Sequence, residues 1–193
     1  MSSQYLLDAI CAAGGDSLEA CFTIESNKNS EDPVIDLKAE GELRSKRVYF
    51  LRWEKNSDDS LLRKSIKVFV ENAVTRAVLT GHQSIAFPAI GCGLFGCPAS
   101  VVAQAMVEEA QRLTQQHHIS IVFVIQPEKA NIHDEFQKQI ESIRQPVLPI
   151  QSSETTSVTI NKGMIEVQIG DMTTQAVCLK KLFFTTVFSY LIG

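Results

Sequence analysis

The stretch SIAFPAIGCGLFGCPASVVAQAM, residues 84–106, decides how the rest of the chain is read. Ser84 to Phe87 reads as a short buried strand. A loop with Gly91, Gly93 and Gly96 follows, and Pro98 stands where a helix should begin. Glycines let backbone N–H groups approach a ligand with no Cβ in the way, and they permit positive φ. A helix start adds unpaired N–H groups and the positive end of a dipole. Strand, GxGxxG and helix together make a phosphate cradle. A glycine-rich turn with no ligand is the alternative on spacing alone. Two common glycine-loop readings drop out. No Lys-Ser/Thr pair follows the last glycine, so this is no P-loop. The next strand ends Ile125-Gln126, without the acid that would hold a ribose in a dinucleotide fold.

Outward from this loop the chain alternates. Leu6, Ile10 and Ala13 recur at helical spacing over residues 4–13, and Gly14-Gly15 is expected to end that helix. ESNKNSEDP reads as a loop, and Val34–Leu37 and Val48–Leu51 as strands. Leu62, Ile66, Phe69, Ala73 and Ala77 predict an amphipathic helix from Ser60 to near Leu79. A second long helix starts at Pro98, with Ala103, Met106, Ala110 and Leu113 on one face. ISIVFVI, residues 119–125, is a continuous apolar run of the kind buried on both faces of a sheet. A further helix from Asn131 carries Ile132, Phe136, Ile140 and Ile143. Strands alternating with helices predict an α/β layered domain with a largely parallel sheet. Residues 145–156, with Pro146, Pro149 and a Ser/Thr cluster, read as a linker. SVTINKGMIEVQI reads as a hairpin turning at Asn161-Lys162-Gly163.

A net charge of -4 argues against a general nucleic-acid binder, so no direct nucleic-acid binding is expected. The five cysteines form no CxxC pair, and the histidines complete no metal-ligand spacing; no metal is expected, and reduced thiols fit best. The start lacks the features of a signal peptide. The apolar tail after Lys180-Lys181 is shorter than the ~18 residues of a membrane span. A cytoplasmic or nuclear protein with no membrane span is expected.

SIAFPAIGCGLFGCP, with the helix before it and ISIVFVIQPE after it, resembles the phosphate-binding loop of a macrodomain, the module that binds ADP-ribose and its conjugates. The character is that of the tandem macrodomains of macrodomain-containing ADP-ribosyltransferases, and the resemblance spans roughly residues 5–143. It implies a three-layer α/β/α fold around a mixed sheet. It also implies ADP-ribose as ligand with no cofactor, and ADP-ribosylated proteins as partners. The loop residues Ala89, Ile90, Gly91, Cys92, Gly93, Leu94, Phe95 and Gly96 would wrap the diphosphate and the adjoining ribose, with Phe95 against the sugar.

The chain departs from the family pattern at its start. A macrodomain opens with two strands, one leading to an adenine-binding Asp and one to an Asn-Ala-Ala-Asn-like segment. Here QYLLDAICAAGG resembles the helix that follows those parts. Residues 1–144 therefore read as a partial macrodomain lacking its first strands, and 145–156 as the linker. Residues 157–193 read as the start of a second macrodomain, in which MIEVQIGDMTTQAV offers Asp171 as the adenine contact before a divergent apolar tail. A truncated isoform would look like this. Two arrangements stay open for residues 164–169. The strand either docks by strand addition onto the sheet of residues 34–125 as a permuted replacement, or forms an exposed, loosely ordered hairpin.

Three functions follow from these readings. The first is an ADP-ribose-binding module, weakened by truncation and non-catalytic, since no part of the chain supplies a transferase domain. The second is a ligand-free interaction fragment that self-associates through an open sheet edge. The third is a hydrolase with Cys92 as nucleophile, activated at a helix N-terminus and served by His82.

Overall fold

The computed structural model describes residues 2–28, 31–43, 45–93, 95–143, 155–160, 163–170 and 185–190. For residues 2–8, 155–157, 160 and 185–190 only the backbone is described. In chain order the elements are α1 (Ser2–Ser26), β1 (Val34–Lys38), β2 (Arg47–Arg52), α2 (Asp59–Leu79), β3 (Ser84–Pro88) and α3 (Ala99–Gln116). They continue with β4 (Ser120–Ile125), α4 (Ala130–Ile143), β5 (Thr155–Ile160), β6 (Gly163–Ile169) and β7 (Thr185–Tyr190).

The helices follow from local chemistry. Asp58 caps α2 by accepting the Leu61 N–H at 2.9 Å, which satisfies one of the orphan donors of the first turn. Leu62, Ile66, Phe69, Ala73 and Ala77 then form the buried stripe. The first helix of α1 stops at the Gly14-Gly15 pair, as expected. Gly15 (φ 75°, ψ 175°) is non-helical, and a second helix starts beyond it within the span of α1 and buries Leu18. The companion Gly14 is there for packing, because a Cβ would collide with the Leu18 and Leu43 side chains.

The seven strands of the described residues form one sheet, in the order β1-β2-β7-β3-β4-β6-β5. The inner strands β2, β7, β3, β4 and β6 run parallel, and β1 and β5 pair antiparallel at the two edges. Of the two arrangements open for residues 164–169, the structure has the docked one. β6 pairs with β4 from Ser120↔Met164 to Ile125↔Ile169. β7, the last strand in sequence, enters the middle of the sheet and pairs with β2 across Arg47↔Thr185 to Arg52↔Tyr190. It also pairs with β3 at Ile85↔Thr185 and Ala86↔Thr186. β5, β6 and β7 thus share their sheet with the strands of residues 34–125.

Side chains alternate across the sheet, as strand geometry requires. Tyr49, Leu51, Ile85, Phe87, Ile121, Phe123, Ile165 and Val167 join the large core beneath α2, α3 and α4. Val48 and Phe50 face the other way, onto Ile10 and Leu18 of α1. The result is a mixed α/β fold with helices on both faces of a mixed sheet.

Candidate functional site

Because β2, β7, β3, β4 and β6 are parallel, their carboxyl ends open at one end of the sheet, where ligands of such folds bind. The glycine loop leaves β3 at this end, Trp53 follows β2, and Gly170 follows β6.

The loop is a compact series of turns. Cys92 N–H donates to the Ala89 carbonyl at 3.3 Å, Gly96 N–H to the Gly93 carbonyl at 3.0 Å, and Cys97 N–H to the Gly91 carbonyl at 3.0 Å. Gly91 needs to be glycine for two reasons. Its φ is 72°, and a Cβ there would meet Trp53 Cη2 at 2.7 Å and Cys97 Sγ at 2.9 Å. Gly96 also takes a left-handed φ of 57°. A Cβ built on Gly93 or Gly96 would touch nothing within 4 Å, so the backbone borders open space at these two positions. Pro98 gives α3 no side-chain cap, which leaves the N–H groups of the first turn without the partner a Ser or Asp would supply.

The expected contact residues divide by role. Ile90 is buried in the main core and anchors the loop, so it offers the open side only its backbone. Phe95 is half-buried and stands edge-on to Trp53, with ring centroids 5.8 Å apart at 75°. Trp53 in turn donates its indole N–H to Ser65 Oγ at 3.2 Å. Leu94 and Asp171 lie outside the described residues. The sequence reading missed Lys55, whose Nζ donates to the Phe95 carbonyl at 2.6 Å. No local pattern marks it, because the contact joins residues forty positions apart.

The cysteine chemistry runs against a nucleophile. Burial, reinforced by neighbouring Cys97, pushes the Cys92 thiol up to about 12, so it stays protonated at neutral pH. His82 precedes β3 whereas Cys92 follows it, and the strand between them spans roughly 13 Å at ~3.3 Å per residue. Burial also lowers the His82 pKa. Among the described residues no cluster of His, Cys, Asp or Glu could hold a metal ion, and no helix is long and apolar enough to cross a membrane.

The family model described as Macro domain matches residues 8–106, half of the chain. The chain belongs to the macro domain family. It is 32% identical over 102 residues to an O-acetyl-ADP-ribose deacetylase of Citrobacter rodentium, covering 50% of this chain and 55% of that protein. It is 31% identical over 74 residues to an uncharacterized protein of Pyrococcus horikoshii, covering 38% of this chain and 36% of the other. The chain thus spans about half, or less, of the length of these curated relatives. Among solved structures, an Oceanobacillus iheyensis macrodomain with MES bound superposes with a TM-score of 0.60 at 20% identity, covering 70% of this chain and 75% of that one. A mutant of the same macrodomain with ADPR gives a TM-score of 0.59 at 20% identity, over 70% of this chain and 75% of that chain. These likenesses establish the macro domain fold for the glycine loop and the elements around it.

Proposed function

We propose that this macro domain binds ADP-ribose, free or attached to proteins, through the backbone of residues 89–96. The observation that carries this reading is the loop itself. Left-handed Gly91 and Gly96 shape it, Gly93 leaves its face open, and it leads into a helix start with no side-chain cap. The uncapped N–H groups of the first turn of α3 and its helix dipole are what a diphosphate lying on the open face would meet. Phe95 would cover the adjoining ribose. The direct experiment is calorimetric titration of the full chain with ADP-ribose, compared with Gly93→Glu.

The reading includes binding without hydrolysis, in a cytoplasmic or nuclear setting. A relative named as an O-acetyl-ADP-ribose deacetylase favours the opposing view, that this loop also presents a scissile ester. Support for the non-catalytic reading comes from the two groups nearest to nucleophilic chemistry: Cys92 is held as a thiol, and His82 stands at the other end of β3. Release of acetate from O-acetyl-ADP-ribose by the wild-type chain, above a Gly93→Glu control, would overturn it.

A further inference from the structure

Several cations of the described residues are held by carboxylates. Arg47 pairs with Asp36, Lys67 with Glu108, Arg76 with Asp32, and Arg112 with Glu71 and Glu109. Lys55 differs from all of these. Among the described residues no carboxylate lies within ion-pair distance of it, and its ammonium rests on a main-chain carbonyl at the mouth of the glycine loop. The carbonyl is that of Phe95, whose ring stands on Trp53, and Trp53 is the residue that fills the space beneath Gly91. Lys55 therefore bridges the segment after β2 to the far side of the loop. It does so two residues along the chain from the tryptophan that supports the near side. Its field reaches the loop interior as well, since it opposes the burial that raises the Cys97 thiol.

We propose that Lys55 is a positioning and specificity residue of this site. It fixes the Phe95 carbonyl so that the loop is held in its open form before ligand arrives. Its charge, with no acid partner among the described residues, then favours ligands that carry a diphosphate over nucleosides that do not. An ammonium has three donors, so it can keep the carbonyl while turning another N–H toward a phosphate oxygen. This role rests on the ADP-ribose reading above, but its first consequence does not need a ligand.

Two readouts test it in the full chain with Lys55→Met and Lys55→Arg. Trp53 is the sole tryptophan, so its fluorescence reports the packing of Phe95 on it without any label. Lys55→Met should shift the ligand-free emission to longer wavelength, and Lys55→Arg should restore it. An unchanged emission in Lys55→Met overturns the tether, whatever the ligand does. ADP-ribose affinity should fall about five- to tenfold in Lys55→Met, with a shallower dependence on salt, and return to within about twofold in Lys55→Arg. Adenosine, which carries no phosphate, should bind wild type and Lys55→Met alike. Equal ADP-ribose affinity and equal salt slope in wild type and Lys55→Met overturn the specificity role. Should wild type bind no ADP-ribose, the function proposed above fails, and the emission still decides the tether.

Discussion

The amide of Gly170 donates to the carbonyl of Ile125 at 2.7 Å. Gly170 follows the last residue of β6 and Ile125 is the last of β4, so the bond fastens the C-terminal segment to the sheet at the end where the glycine loop lies. At the opposite end of the same strand pair, the Met164 N–H donates to the Ile119 carbonyl at 3.4 Å. Between them Ile165 and Val167 are fully buried in the main core. β6 is therefore as much a core strand as β3 or β4, although nearly forty residues separate it from β4 in the chain.

Gly163→Ala tests that docking with a small change. A Cβ at Gly163 would lie 2.5 Å from the Ile119 carbonyl oxygen and 2.8 Å from Thr114 Cβ, and the carbonyl belongs to backbone that cannot yield easily. The substitution should destabilise the protein by about 1–3 kcal/mol in urea unfolding. On a free hairpin the same change would be neutral or slightly stabilising, because alanine restricts the unfolded chain.

Ile165→Ala removes most of a side chain with no exposed surface. The expected cost is about 2–5 kcal/mol, the usual range for large-to-small changes in a packed core. Unfolding that stays within about 0.5 kcal/mol of wild type, the range of surface substitutions, would place this strand outside the core.

Much of the frame was legible in the sequence, because its signals are local. The 3.6-residue stripes of α2 and α3, the apolar run of β4 and the glycines after β3 each declare an element without reference to anything distant. The places where sequence reading fell short depend on partners far along the chain. Gly14-Gly15 does break the helix, through the left-handed φ of Gly15, but only the packing of Leu18 and Leu43 shows why Gly14 must also be small. TTVFSY lay in a tail read as divergent, yet it is a strand, because β2 and β3 leave room for one between them. Lys55 carries no motif at all.

Glu166 gives a pH dependence with a definite sign. Its side chain is buried on the sheet, and burial raises its pKa above the ordinary 4.5, against the opposing hydrogen bond from Gln168 at 2.6 Å. A carboxyl whose folded pKa is raised contributes stability that is fully present below the unfolded value. That stability is lost as pH rises through the folded one. Glu166→Gln keeps an acceptor for Gln168 and removes the charge. It should unfold at higher urea than wild type at pH 7, and the gap should narrow as pH falls toward 4.5. A gap that widens on acidification would mean that the carboxylate, not the acid, is the form the fold prefers.

Cys92 should resist alkylation at neutral pH, since its pKa stands at about 12 and only the thiolate reacts. Exposed Cys21 serves as the internal reference. Mass spectrometry after brief iodoacetamide treatment should find Cys21 modified and Cys92 intact. Rapid modification of Cys92 would revive the nucleophile reading.

The central claim is that the backbone of residues 89–96 holds ADP-ribose, and Gly93→Glu tests it most directly. Gly93 does not use a left-handed φ, and a Cβ there meets nothing within 4 Å, so the variant should fold as wild type does. Its carboxylate would nevertheless occupy the open face of the loop and repel a diphosphate. Calorimetric titration of the two full chains with ADP-ribose is predicted to give saturable binding to wild type and none to Gly93→Glu, with equal unfolding curves. Identical titrations of the two proteins would contradict the account.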